Sequence, residues 1–196
     1  MNEIIKNIIG SSILVKQEIL KDESMQKRIA AIIELITHAF LNGNKVLFCG
    51  NGGSAADAQH LAAEFSGRFY KNRKALPAEA LHCNTSYLTA VANDYSFDVI
   101  YSRLIEGCGQ KGDVLVGLST SGNSINIVKA FEAAQLIGMS TVGFTGADGG
   151  KMKELSDYLL NVPSLDTPRI QESHIMLGHI ICQLVEEKIF VTPVVL

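Results

Sequence analysis

His60 and Glu64 stand four residues apart, so on a helix their side chains would share one face. A carboxylate and an imidazole together can move protons next to a carbonyl, as aldose–ketose isomerisation requires. Gln171, His174 and His179 interrupt an apolar segment near the end of the chain. Zinc also accepts nitrogen and oxygen donors of these types. The residue types therefore indicate acid–base chemistry or a metal site, and their spacing leaves both alternatives open.

Two polar loops each lie between a predicted strand and a predicted helix. The first is "GNGGS" (50–54) and the second is "STSGNS" (119–124). Glycine lets backbone N–H groups converge, hydroxyls add donors, and a helix N-terminus adds partial positive charge, so such loops are typical of phosphate sites. The alternative is two tight turns in which Ser54 and Ser124 cap the helices. Two such loops at neighbouring strand ends favour a ligand.

The first loop also fits G-x-G-x-x-[G/A], the pattern of dinucleotide sites. The acidic residue that such a site needs at the end of the second strand is missing, because "LHCNTS" contains none and Glu79 lies near the strand's start. No G-x-x-x-x-G-K-[ST] motif occurs either. We expect a small phosphorylated metabolite and no nucleotide cofactor.

The apolar pattern predicts the elements that would carry these side chains. Helical periodicity predicts two leading helices, and short apolar runs then alternate with further helical segments. The helices are expected at 2–20, 23–41, 54–66, 85–92, 97–107, 124–137 and 168–190, and the strands at 45–49, 78–82, 113–119, 140–145 and 157–162. This alternation predicts an α/β fold with a doubly wound, five-stranded parallel sheet flanked by helices.

Length and composition limit the class of protein. The chain has 196 residues, 47% hydrophobic and 19% charged, which predicts one globular domain over 1–196 with its sheet core at 45–190. The leading helices, 1–42, either cover the core or form an oligomer interface. A net charge of −3 gives no electrostatic case for nucleic acid. Without a signal peptide or a long apolar run, the sequence predicts a cytoplasmic protein with no membrane partner.

Five motifs carry a resemblance to a known family: "CGNGGSAADAQHLAAEFSGRF", "ANDYSFDVIYSR", "STSGNSINIVKA", "GFTGADGGKM" and "RIQESHIMLGHIICQLVE". Together they resemble the phosphoheptose isomerases of the sugar isomerase (SIS) domain family, in one register from about residue 2 to 190. The resemblance implies a homotetramer with a flavodoxin-like sheet. It also implies conversion of sedoheptulose 7-phosphate to D-glycero-D-manno-heptose 7-phosphate through an enediol, the first step of ADP- or GDP-heptose synthesis for lipopolysaccharide core or capsule. The tail, 191–196, lies beyond the resemblance.

The resemblance also implies roles for individual residues. Glu64 would be the base that moves a proton between C1 and C2, and His179 would be the acid. The implied substrate-binding residues are Asn51, Gly52, Gly53, Ser54, Arg68, Asn93, Asp94, Ser119, Thr120, Ser121, Ser124 and Gln171. The implied ligands of one zinc ion per subunit are His60, Glu64, Gln171 and His179. His174 receives no ligand role and is expected in the core or beside the site.

The alternative is a non-catalytic SIS protein, either a sugar-phosphate sensor or a DnaA-binding replication initiation factor. Such a protein could keep the phosphate loops without the catalytic residues, so the presence of Glu64, His179 and Gln171 favours the enzyme. The sequence leaves open which heptose pathway the protein serves. It also leaves open whether Glu64 and His179 of one site belong to one chain or to two subunits.

Overall fold

A computed structural model describes residues 1–190 of the chain as an α/β fold around one sheet. The strands are β1 (Val46–Gly50), β2 (Ala78–Ala80), β3 (Val114–Leu118), β4 (Ser140–Thr145) and β5 (Tyr158–Asn161). They are all parallel and lie in the order β2-β1-β3-β4-β5. The predicted five-stranded parallel sheet is therefore confirmed. The single domain predicted for 1–196 ends in the tail 191–196, which lies outside the described residues.

The helices also follow the predicted order, with two differences in detail. They are α1 (Asn2–Lys21), α2 (Glu23–Leu41), α3 (Gly53–Ser66), α4 (Thr85–Asp94), α5 (Ile100–Cys108), α6 (Ile125–Ile137), α7 (Met152–Leu155) and α8 (Thr167–Ile189). The predicted helix 97–107 begins as a 3-10 turn, and α7 was not predicted because four residues are too few for an apolar repeat. Within residues 1–190, each helix is too short or too polar to cross a bilayer.

Two apolar layers cover the two faces of the sheet. Val46 and Phe48 of β1 pack with α2, α3 and α8, whereas Leu47 and Cys49 face the layer that contains α5 and α6. Every residue of β1 and of β3 is buried. Strands with both faces covered are expected to be apolar throughout, which is why the short apolar runs in the sequence located them correctly.

The strand order decides where the two polar loops lie. β1 pairs with β3 although β2 comes between them in the chain, and Gly50 at the end of β1 is in register with Leu118 at the end of β3. The connections from these two strands leave in opposite directions, and open α/β sheets bind ligands in the crevice at such a point. The first and second polar loops therefore begin side by side.

His174 on α8 is a core residue. Its side chain is fully buried, its Nε2 lies 3.1 Å from the carbonyl oxygen of Thr145, and its ring packs edge-on against Phe144. Burial lowers the pKa of the His174 imidazole to about 4, and the hydrogen bond to Thr145 only partly opposes this effect. The folded protein therefore holds this ring neutral, with Nε2–H as the donor.

His174 should make the fold sensitive to mild acid. Its folded pKa lies below the value near 6.5 of an exposed imidazole, so between these values the unfolded chain binds more protons and stability falls as the pH falls. His174→Gln keeps an N–H for Thr145 but does not titrate. Between about pH 7 and about pH 5, the wild type should lose about 2 kcal/mol more unfolding free energy than this variant.

Denaturant unfolding at the two pH values measures this difference. His38→Gln, which replaces an exposed imidazole on α2, is the matched control and should follow the wild type. Equal acid sensitivity in the wild type and His174→Gln would show that this ring does not govern the transition.

Candidate active site

The predicted proton-transfer residues meet where α3 and α8 pack together. His60 Nε2 lies 3.0 Å from His179 Nε2 and 3.3 Å from the Oε1 atom of Glu64. The ligand atoms of all three residues lie within 4.8 Å of one another. We call His60, Glu64 and His179 the His–Glu–His cluster. All three come from one chain, so Glu64 and His179 can meet without a second subunit.

The absence of a side chain at Gly178 permits this close approach of the two helices. A Cβ atom at position 178 would lie 2.5 Å from the terminal carbons of Leu61, far inside normal contact distance. Leu61 is buried and directly follows His60, while Gly178 directly precedes His179. The packing of these two residues therefore sets the distance between the two imidazoles.

The first polar loop is tied to the helix that follows the second one. The side-chain amides of Asn51 and Asn126 form two reciprocal hydrogen bonds, each 2.9 Å long. The buried hydroxyl of Tyr101 donates to the carbonyl oxygen of Gly50 at the start of the same loop. Asn51, predicted to bind substrate, thus has both polar atoms of its side chain engaged with Asn126. Sequence reasoning did not predict a role for Asn126, because polar residues are ordinary on helices. Only its position just after "STSGNS" could have indicated one.

The alternative of two N-capping serines does not describe the loops. The N-cap of α3 is Gly52, and Ser54 is a buried residue in the first turn of that helix. Ser124 is the N-cap of α6, but its hydroxyl makes no capping bond and instead lies 3.0 Å from the hydroxyl of Ser119. Neither serine hydroxyl therefore makes the capping bond that this alternative requires.

A polar cavity of about 240 Å³ opens beside the second loop. Thr120 and Ser121 line one side, residues 146–148 after β4 line another, and Ser164 after β5 contributes to the wall. The loops after β4 and β5 had no predicted role. Their residues are small or typical of turns, so the sequence alone gave no sign that they face a cavity.

Four other predicted residues lie on helices or just after one. Gln171 lies against the first loop, since a Cβ atom on Gly53 would be 2.8 Å from its Nε2. Arg68 is exposed just after the end of α3. Asn93 and Asp94 are exposed at the end of α4, where the Asn93 amide donates to the Asp94 carboxylate. Within residues 1–190, no hydrogen bond ties either of these two residues to the polar loops.

Asp57 faces the cluster and was missed in the sequence. It lies three residues before His60 on α3 and is partly buried. Burial raises the pKa of the Asp57 carboxyl, while the nearby His60 and His179 imidazoles oppose that rise. The i, i+3 spacing to His60 was the available signal, but helices commonly carry such pairs on their surface.

Comparison with known proteins agrees with the geometry. Residues 13–146 match the family model described as SIS domain. The chain is 54% identical over 190 residues to the phosphoheptose isomerase of Clostridium acetobutylicum, with 97% of each chain covered. It is also 54% identical over 190 residues to that of Aneurinibacillus thermoaerophilus, with 97% of this chain and 96% of the relative covered. The chain belongs to the phosphoheptose isomerase family.

A solved structure supports the same membership. The phosphoheptose isomerase from Neisseria gonorrhoeae is 44% identical and superposes with a TM-score of 0.89, covering 95% of this chain and 98% of that one. The chain is thus an isomerase with the SIS fold, and the non-catalytic alternative is not favoured. The predicted fold, family and enzyme class are confirmed, while the roles of the individual residues remain predictions.

Gly178→Ala tests whether the helix contact sets the geometry of the cluster. The added Cβ would overlap the side chain of Leu61, so α8 should move away from α3. We expect a loss of about 1–3 kcal/mol in unfolding free energy and a clear fall in turnover. Gly107→Ala is the control, because a Cβ on this exposed glycine of α5 meets nothing within 4 Å. A Gly178→Ala variant with wild-type stability and turnover would show that the contact can be relaxed.

Proposed function

We propose that this protein converts sedoheptulose 7-phosphate to D-glycero-D-manno-heptose 7-phosphate in the cytoplasm, at the first step of heptose synthesis for lipopolysaccharide core or capsule. The observation that carries the proposal is the His–Glu–His cluster, in which a carboxylate and two imidazoles converge within 4.8 Å. The likeness to proteins named phosphoheptose isomerase, at 54% identity, supports this choice of substrate.

The two polar loops would hold the phosphate end of the substrate. They lie side by side at the ends of β1 and β3, and α3 and α6 begin directly after them, so backbone N–H groups and partial positive charge face one region. His60 comes seven residues after Gly53, which is about 10 Å along the axis of α3. An open seven-carbon chain ending in phosphate can span such a distance, which would bring its C1–C2 end to the cluster.

The proposed reaction moves protons and one electron pair within the substrate. Glu64 removes a proton from C1, a C1=C2 bond forms, and the carbonyl oxygen on C2 takes a proton from His179, which gives the enediol. His179 then recovers a proton from the C1 hydroxyl as the C1 carbonyl forms, and Glu64 returns its proton to C2. The ketose becomes the aldose without any external oxidant or reductant. Asp57, which faces the two imidazoles, would help to hold them.

Zinc, one ion per subunit, is proposed as the metal of this site. His60, Glu64 and His179 would be ligands, with Gln171 as the fourth. Because Glu64 and His179 are also the proposed proton-transfer pair, each would bind zinc through one atom and exchange the proton through its other one, Nδ1 in the case of His179. The two Nε2 atoms are 3.0 Å apart, close to the roughly 3.3 Å that separates tetrahedral ligands about 2.0–2.1 Å from zinc. The donor set thus fits the ion, which when bound would act as a Lewis acid toward the substrate oxygens.

We propose that the protein is a homotetramer, because the outer face of α1 is apolar and exposed. Large apolar side chains on this helix are about half exposed, namely Ile4, Ile5, Ile8, Ile9, Ile13 and Leu14. An apolar groove between α1, α2 and α8 continues this surface and is lined by Ile19, Ile29, Ile33, Met176, Ile180 and Leu184. A monomer rarely exposes so much apolar surface, so we expect other copies of this chain to bury it in an oligomer interface. Sedimentation should show a tetramer at micromolar concentration, and a monomer would contradict this assembly.

The activity is tested by incubating the protein with sedoheptulose 7-phosphate and following the aldose product by NMR. The wild type should turn over, while Glu64→Gln and His179→Gln should each lose at least about 100-fold in kcat, because each removes one proton-transfer group. Chelator treatment should lower wild-type activity and added zinc should restore it.

Glu187→Gln, which alters an exposed carboxylate on α8, is the control and should behave as the wild type. A wild-type chain that leaves the substrate unchanged would refute the proposed function. Full turnover by Glu64→Gln would instead refute the assignment of the base.

A further inference from the structure

A buried carboxylate on α8 anchors the segment that follows α3. Glu186 is only 1% exposed, and its two carboxylate oxygens accept hydrogen bonds from the backbone N–H groups of Phe69 (3.1 Å), Tyr70 (2.8 Å) and Lys71 (2.9 Å). We call residues 69–71 the anchored segment. Three successive N–H groups directed at one carboxylate form a specific anion-binding turn. The position of this segment therefore depends on Glu186.

Arg73 completes the arrangement from the other side. Its side chain is 2% exposed, and its Nε donates to Glu186 at 2.7 Å. Its two terminal nitrogens donate to the carbonyl oxygens of Glu64 (2.8 Å) and Phe65 (2.7 Å). These carbonyls belong to the last turn of α3. The carbonyl oxygens at the end of a helix have no N–H partner within the helix, and a positive charge beside them interacts favourably with the helix dipole. Arg73 thus holds the end of the helix that carries Glu64.

The anchored segment also lies beside the imidazole of His179. Glu186 follows His179 by seven residues, or two turns of α8, so both side chains lie on one face of that helix. The ring of Phe69 in the anchored segment lies 5.8 Å from the ring of His179, centre to centre. Arg73 therefore binds the backbone of Glu64, and Glu186 binds the backbone of Phe69, whose ring lies beside His179. Glu186 itself belongs to α8, the helix that carries His179.

Stability alone is a weak explanation for this pair. Among the ion pairs of residues 1–190, it is the only one in which both side chains are almost completely buried. Removing two charges from water is costly, and an apolar pair of similar volume often stabilises a fold at least as well. What an apolar pair could not supply is directed hydrogen bonds to the anchored segment and to the end of α3.

We propose that Glu186 and Arg73 are positioning residues for the isomerase reaction, which fix Glu64 and His179 relative to each other without touching the substrate. This inference rests on the proposed function. Small displacements of catalytic groups are expensive, since about 1 Å can cost roughly 100-fold in rate. Loss of the pair should therefore affect kcat more than substrate binding.

Glu186→Gln and Arg73→Lys are the test variants. The first removes the charge and one acceptor with little change in shape, and the second keeps the charge but loses the fork that reaches two carbonyls. Each should lower kcat for sedoheptulose 7-phosphate by about 10- to 100-fold, with KM within about threefold of wild type. If one variant does not fold, the other is measured.

Asp113→Asn is the matched control at the opposite end of the sheet. Asp113 is also a fully buried carboxylate, and it accepts hydrogen bonds from the backbone of Lys45 and Gln110 and from the Lys45 ammonium group. Its loss should lower the melting temperature and leave kcat unchanged. A kcat loss in Asp113→Asn as large as in Glu186→Gln would overturn the inference, because general destabilisation would then explain both.

NMR of the imidazole Cε1–H groups gives a second readout that needs no turnover. The His179 signal, assigned by its absence in His179→Gln, should shift in Glu186→Gln because the ring of Phe69 moves, while the signal of His38 should stay. A folded Glu186→Gln with wild-type kcat and an unshifted His179 signal would overturn the inference. If the wild type itself lacks isomerase activity, the proposed function fails, and the His179 signal alone then decides whether the pair positions this ring.

Discussion

The contact between Gly178 and Leu61 is the constraint on which the candidate site depends. It lets α8 approach α3 so closely that the Nε2 atoms of His60 and His179 come within 3.0 Å. A methyl group at position 178 would not fit against Leu61, so the geometry of the cluster and the packing of the core are set by the same atoms. A substitution at position 178 is therefore expected to affect turnover and stability together.

The sheet places the phosphate-type loops relative to that contact. Because β1 and β3 are neighbours, the loops after them begin together, and α3 runs from the first loop directly to His60 and Glu64. One helix therefore runs from the proposed phosphate loop to the proposed proton-transfer pair. The amide pair of Asn51 and Asn126 holds the two loops together, and the Arg73–Glu186 pair holds the far end of α3. Both ends of this helix are fixed by hydrogen bonds to other elements.

The sequence predicted the fold well because its signals are local. Strands such as 46–50 are buried on both faces and so appear as short apolar runs, and α1 and α2 repeat isoleucine at helical spacing. The shared face of His60 and Glu64 is local too, since four residues form about one helical turn. The meeting of these residues with His179 is a contact across 119 positions, which no local pattern encodes. For that step, the resemblance to a family was needed.

Three of the residues that sequence reasoning missed share one physical feature. Asn126, Glu186 and Asp57 are polar residues on helices, where exposed polar side chains are ordinary, and only their burial or their partners distinguish them. Asn51 shows the reverse case, since a residue in a phosphate-type loop has its side chain engaged with another asparagine. Long-range partners decide these roles, so they become visible only when the chain is folded.

Subunit mixing tests the central claim that one chain supplies the whole proton-transfer pair. With the proposed tetramer, Glu64→Gln and His179→Gln chains are dissociated, combined and reassociated, and their turnover is compared with that of each variant reassociated alone. The control is a mixture of wild-type and Glu64→Gln chains treated in the same way. It should keep activity in proportion to its wild-type chains, which shows that reassociated chains recover their activity. The account predicts no turnover in the mixture of the two variants beyond that of its parents, because each chain lacks one member of its own pair. Recovery of a sizeable part of wild-type activity would contradict the account, since it would require Glu64 and His179 to act from different subunits.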